Sequence, residues 1–167
     1  MDKVIATALL IVASMVMAVA LFNIAYPAIV RGGESIASMV DRAGERIRSQ
    51  IVIVHAAAEW DDGAPHDLNG NGDLEAVIWV KNVGDTRIAA IERLDLFFGT
   101  EGDFARIPHA SESTSGTYWQ ATIENASEWT PTATLRITLH NAPLRAGRQF
   151  VKVVAPSGVA HEYFWSL

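Results

Sequence analysis

The sequence predicts an α+β protein: a long N-terminal hydrophobic α-helix followed by an all-β head built as an Ig-like sandwich. Three observations predict it. The run from Val4 to Val30 holds no charged side chain over 27 residues. The charges then divide unevenly, five basic and four acidic through Ala58 against eight basic and fifteen acidic from Glu59 to Leu167. Beyond Glu59, short alternating or β-branched segments recur between turn signals. The expected domains are therefore a helix over 1–58 and a β-sandwich over 59–167.

Within the helix, Val4 to Phe22 is interrupted only by Thr7 and Ser14. A helix that is apolar all round has to be buried all round, and this one is long enough to cross roughly 30 Å of hydrocarbon. From there the pattern turns amphipathic. Ile36, Met39, Val40, Ala43, Ile47, Ile51 and Val54 recur at three- and four-residue steps, with Asp41, Arg42, Glu45, Arg46 and Arg48 on the other side. Pro27 and the pair Gly32–Gly33 are expected to act as a hinge between the halves, because proline removes a backbone donor and glycine loosens the helix. A continuous helix from Lys3 to Ala57 would run about 80 Å at 1.5 Å per residue. A chain of 167 residues cannot wrap one core around such a rod, so lipid or other copies must cover it.

Copies are favoured by the small residues Ala6, Ala8, Ala13, Ser14, Ala18, Ala20 and Ala25, which allow close backbone approach. The residues expected at such an interface are Val4, Ile5, Leu9, Leu10, Ile11, Val12, Met15, Val16, Val19, Leu21 and Phe22. Open repetition of a heterologous helix contact gives a filament. A removed secretory signal is not expected, since only Met1-Asp2-Lys3 precede the apolar run and no short processing pattern follows it. A permanent anchor is the competing use of the same segment, with basic flanks too weak to assign an orientation.

In the head, strands are expected at Leu74 to Lys81, Arg87 to Phe98, Thr117 to Ile123, Thr132 to His140, Gln149 to Val154 and Val159 to Trp165. Turns are expected at Asn82 to Asp85, Gly99 to Asp103, Asn125 to Ser127, Asn141 to Gly147 and Pro156 to Gly158. Six or seven short strands so punctuated suit a two-sheet sandwich. Trp79, Trp119, Phe97, Phe150, Tyr163 and Trp165 are read as core or sheet-face residues.

The head offers two local motifs. Asp67, Asn69, Asn71 and Asp73 place side-chain oxygens at alternate positions around Gly72, a spacing that suits Ca2+. The pattern then departs from a helix–loop–helix calcium site, because Ile78 stands where a bidentate Glu belongs and a strand follows. A polar turn with Asn and Gly supplying positive φ is the other reading. Asn125-Ala126-Ser127 is a glycosylation sequon in an expected loop. Catalysis and phosphate binding find no pattern: His55, His66, His109, His140 and His161 are scattered, and no nucleophile elbow or phosphate loop occurs. The chain is expected not to be an enzyme. A net charge of −6 argues against nucleic acid as a partner, and the absence of cysteine removes disulfide and thiolate chemistry.

The run "VIATALLIVASMVMAVALFNIAYPAI" passing into "SIASMVDRAGERIRSQIVIVHA" resembles a mature type IV pilin-like subunit, and within that superfamily the archaellins and their accessory proteins. "LEAVIWVKNVGDTRIAAIERLDLFF" is similar to the family's first sandwich hairpin, and "LRAGRQFVKVVAPSGVAHEYFW" to its closing one. Bacterial pilins of the classical kind carry Glu at the fifth mature position; Ile5 stands here if Met1 is the processed N-terminus, which favours archaellins. The resemblance implies a structural subunit of a helical extracellular filament for motility or adhesion, resting in the cytoplasmic membrane before assembly and meeting motor proteins at the filament base. The alternative it implies is a membrane-anchored, stator-like accessory protein whose sandwich binds a cell-envelope component.

Overall fold

The structure, a computed structural model, describes residues 2–167; Met1 lies outside the described residues. The chain divides into two compact units, Met1–Ala43 and Gly44–Leu167.

The first unit is helix. Helix α1 runs Asp2–Arg48 without interruption, so its last turn, from Gly44, belongs to the second unit. Pro27, Gly32 and Gly33, the residues expected as a hinge, all lie inside the unbroken helix. Solvent surrounds the two glycines, with no neighbouring atom within 4 Å of the place a Cβ would take.

The helix ends nine residues earlier than the sequence suggests, at Arg48 rather than Ala57. Residues 51–58, expected as its last part, form strand β1 (Ile51–Ala58). Ile47, Ile51 and Val54 satisfy the helical period, but Ile51-Val52-Ile53-Val54 are four consecutive β-branched residues. Their restricted χ1 favours a pleated, half-buried surface. Ile51 and Ile53 point inward, a bulge follows between Ile53 and His55, and Ala56 then takes the inward position.

The second unit is a sandwich of two four-stranded antiparallel sheets. After β1 come a small ribbon, β2 (Trp60–Asp61) with β3 (Ala64–Pro65), then β4 (Ala76–Asn82), β5 (Asp95–Thr100), β6 (Asp103–Ile107), β7 (Tyr118–Glu124), β8 (Thr134–His140), β9 (Arg148–Val154) and β10 (Ala160–Ser166). The first sheet has the order β1-β4-β8-β7 and the second β10-β9-β5-β6. The expected strand over Arg87 to Phe98 is shorter than read. Its first half is loop with a 3-10 turn at Ile91–Arg93, entered through Ala90 in the left-handed region (φ 54°). The expected turn over Gly99 to Asp103 is present as a tight one at 101–102 between β5 and β6, and β6 follows it where no strand is expected.

Alternation builds the core. Ala76, Ile78 and Val80 of β4, Leu135, Ile137 and Leu139 of β8, Leu96 and Phe98 of β5, and Val151 and Val153 of β9 are buried between the sheets. Trp119 is fully buried, its indole N–H donating to the Ile107 carbonyl at 3.1 Å. Trp79 and Phe97 are half-buried on the sheet faces, whereas Tyr163 and Trp165 are half-buried against the core.

Candidate functional site

The surface that sets this chain apart is the first unit. Every side chain from residue 3 to residue 37 is exposed. The eleven residues expected at an interface, Val4 through Phe22, range from 59 to 74% exposed. Burying one large apolar side chain is worth about 1.5–3 kcal/mol. An isolated helix with so many of them bare to water is therefore unfavourable by tens of kcal/mol relative to one in lipid or among copies. Thr7 and Ser14 do not break the apolar character, because each hydroxyl bonds its own helix, to Lys3 O at 2.7 Å and Ile11 O at 2.8 Å. By length and composition this helix is able to cross a membrane.

The second unit holds the end of α1 by backbone hydrogen bonds. A helix C-terminus leaves carbonyls without intrahelical partners. Here the loop after β4 supplies donors. Asp85 N–H and Thr86 N–H donate to Arg48 O at 2.7 and 3.2 Å, and Val83 and Gly84 N–H donate to Gln50 O at 2.9 and 3.0 Å. The loop is shaped by Asn82, fully buried at the end of β4. Its amide donates to Thr86 O (2.8 Å) and Trp129 O (3.1 Å), and its Oδ1 accepts from Gly84 N–H (3.0 Å). Ser49 and Ser157 hydroxyls meet at 2.7 Å beside it.

The loop at 67–75 is tightly self-bonded. The Asp67 carboxylate accepts from Gly70 N–H (2.7 Å) and Gly72 N–H (2.8 Å). The Gly72 bond is the main reason its pKa lies below the ordinary carboxylate value, the Gly70 bond adding to it. Asn69 Oδ1 accepts from Asn71 N–H, and Asn71 Oδ1 from Asp73 N–H. Both Asn amides donate to Glu75, which also stands 3.1 Å from His140 Nδ1. As folded, the oxygens of Asp67, Asn69 and Asn71 thus face their own backbone. Among the described residues, no three His, Asp or Glu side chains form a metal-holding group. Asn125 sits exposed in the left-handed region (φ 55°) after β7, with Ser127 also exposed.

His55, His140 and His161 serve packing and backbone bonding, while His66 is exposed. His161 Nδ1 accepts the Ile53 N–H at 3.2 Å, at the bulge where β1 faces β10. His55 stacks on Trp79 and Tyr118 on His140. Sequence reasoning reads 82–85 as a turn without the bonding roles of Asn82 and Gly84, and it misses Trp129. Asn82 and Gly84 carry a legible signal, the Asn-x-Gly at the end of a strand. Trp129 stands alone in a polar stretch, yet it is buried with its indole N–H on Ala133 O.

No protein-family model and no curated protein matches the sequence. Solved structures do match in fold. The archaellum periplasmic stator protein FlaG from Sulfolobus acidocaldarius is 20% identical, with a TM-score of 0.54 over 70% of this chain and 99% of that one. The stator complex of FlaF and FlaG from the same organism gives 21% identity and a TM-score of 0.51, over 70% and 89%. The archaeal flagellum of Methanospirillum hungatei strain JF1 gives 13% identity and a TM-score of 0.60 over 96% and 91%. The fold is therefore shared with that flagellum over 96% of the chain and with the stator proteins over 70% of it.

Proposed function

We propose that this chain is a structural subunit, without enzymatic activity, of a helical extracellular filament of the archaellum or type IV pilin-like kind. The observation that carries the reading is the helix from Val4 to Phe22, apolar on all sides and exposed on all sides. In an open helical polymer those side chains are buried by the same segment of neighbouring copies, and the small residues among them permit close packing. The sandwiches then form the outer layer. Before assembly the same helix rests in the cytoplasmic membrane. The likeness to the Methanospirillum flagellum supports this reading because it extends over 96% of the chain, helix included.

A second reading is favoured by a different observation. FlaG, called a periplasmic stator protein, matches over nearly its whole length. On that reading the helix stays in the membrane and the sandwich grips a component of the cell envelope.

A variant tests the role of the helix directly. Ala13→Asp puts a charge in the middle of the apolar run, where transfer into hydrocarbon costs about 2.5–3.5 kcal/mol per copy. Filaments should be lost while the sandwich stays folded by near-UV circular dichroism. Normal filaments from Ala13→Asp would remove the helix from the assembly mechanism.

A further inference from the structure

The outward face of the second sheet carries an aromatic row outside the core cluster. Phe164 of β10 pairs with Phe150 of β9, Phe150 with Gly99 of β5, and Gly99 with Phe104 of β6. The Phe104 and Phe150 rings lie 4.5 Å apart by centroid, with Phe164 a further 5.1 Å from Phe150. Phe104 and Phe150 flank Gly99 on opposite sides, so their rings meet by leaning over it. A side chain at position 99 would run into the β6 backbone at Asp103 and Phe104. Phe104 is 49% and Phe164 38% exposed. They are two of only four large hydrophobic side chains exposed anywhere in 59–167, the others being Leu68 and Val83.

The charges around this row are already matched. Arg148 lies 4.5 Å over the Phe164 ring and pairs with Glu101. Lys152 pairs with Glu162, and Arg106 with both Asp95 and Glu112. Arg145 pairs with Asp103 at the rim. The face thus presents four basic and five acidic groups, all in pairs, whereas the rest of 59–167 holds four basic and ten acidic groups. By contrast, Lys81, Arg136 and Glu124, from the outward set of the first sheet, form no ion pair among the described residues.

We propose that this face, centred on Phe104 and Phe164, is where the sandwich docks against a second copy of this chain. Two acidic sandwiches repel over most of their surfaces. The self-neutralised aromatic face is where that repulsion is smallest and apolar burial greatest. A basic partner would be drawn instead to the unpaired carboxylates elsewhere, and an anionic lipid surface finds no free cation here. Exposed aromatics with a neighbouring Arg in a pre-packed row also have the composition of interface anchors. The inference deepens the assembly proposed above and rests on it in that copies must be held side by side by their helices.

The test uses the full chain in its native cells and exploits its lack of cysteine. A benzophenone maleimide is attached at Ser166→Cys, an exposed position two residues along β10 from Phe164, and separately at Gln120→Cys, exposed on the first sheet. Illumination should give chain–chain adducts from position 166 and few from position 120. Adding Phe104→Ser and Phe164→Ser to Ser166→Cys should lower the adduct yield about tenfold, the loss of two interface anchors, with unchanged tryptophan fluorescence reporting the intact core. Adducts to lipid or to another protein, equal yields at 120, or a yield indifferent to the Phe substitutions would overturn the proposal. Filaments without adducts at 166 sink this face and leave the filament reading standing. Chain–chain adducts from 166 in membranes that carry no filaments do the reverse.

Discussion

Asp85 donates its backbone N–H to the carbonyl of Arg48 at 2.7 Å, so a loop of the sandwich completes the hydrogen bonding of the helix end. Gly84 makes this possible. A Cβ there would overlap the Arg48 carbonyl oxygen and sit 2.7 Å from the Gln50 nitrogen. Both atoms are backbone and cannot step aside without moving the helix terminus.

Gly84→Ala should therefore destabilise the second unit by about 1–3 kcal/mol, the usual cost of forcing extra volume into a packed site. Denaturant unfolding of the full chain in detergent, followed by tryptophan fluorescence, measures it. A variant as stable as the parent would mean that the loop does not seat against Arg48.

Asn82→Ala should cost about 2 kcal/mol or more. It strips the Thr86 carbonyl of its side-chain donor, while the Trp129 carbonyl keeps the Ile88 N–H and the Gly84 N–H keeps Gln50 O, and an unmatched buried polar group costs about 1–3 kcal/mol. The same unfolding experiment reads it. Asn82→Asp serves as the discriminating control: it keeps the acceptor for Gly84 but donates nothing to the two carbonyls.

How much of this was legible in the sequence depends on how local the cause is. The apolar helix was plain because 27 residues without a charge need no neighbour to interpret them. Strands β4 and β8 were plain because their alternation is unbroken. Strand β1 was hidden because Ile47, Ile51 and Val54 keep a helical spacing, although Val54 is exposed and the inward set is Ile51, Ile53 and, past the bulge, Ala56. Strand β6 was hidden because Asp103, Phe104, Ala105 and Arg106 are all exposed and only Ile107 is buried. The Asp67 motif was visible as a pattern of oxygens. Which atoms those oxygens face is a matter of loop geometry that spacing does not give.

His161 supplies a further check. Its Nδ1 accepts the Ile53 N–H beside the β1 bulge, a donor on an edge strand with a neighbour on one side only. His161→Leu should cost about 1–3 kcal/mol by leaving that donor unmatched, and His161→Asn should recover part of it. Equal losses in both variants would show that ring packing, not the hydrogen bond, is what matters.

The loop at 67–75 should loosen in acid. The Asp67 pKa is lowered below its ordinary 3.8, first by the Gly72 N–H and then by the Gly70 N–H. A depressed carboxylate stabilises the folded loop fully above the unfolded value and loses that contribution as pH falls through the folded one. The Gly70 and Gly72 amide resonances should therefore move together only below about pH 4. In Asp67→Asn that transition should vanish. Persistence of the transition in Asp67→Asn would assign it to another carboxylate.

The central claim is that the exposed apolar helix is buried by other copies of this chain. Electron microscopy of material sheared from cells, with mass spectrometry of its major protein, tests it most directly. Burial of the helix by copies gives abundant thin filaments whose principal component is this chain. If the chain instead stays with the membrane fraction and is scarce in the sheared filaments, the account is contradicted and the tether reading takes its place.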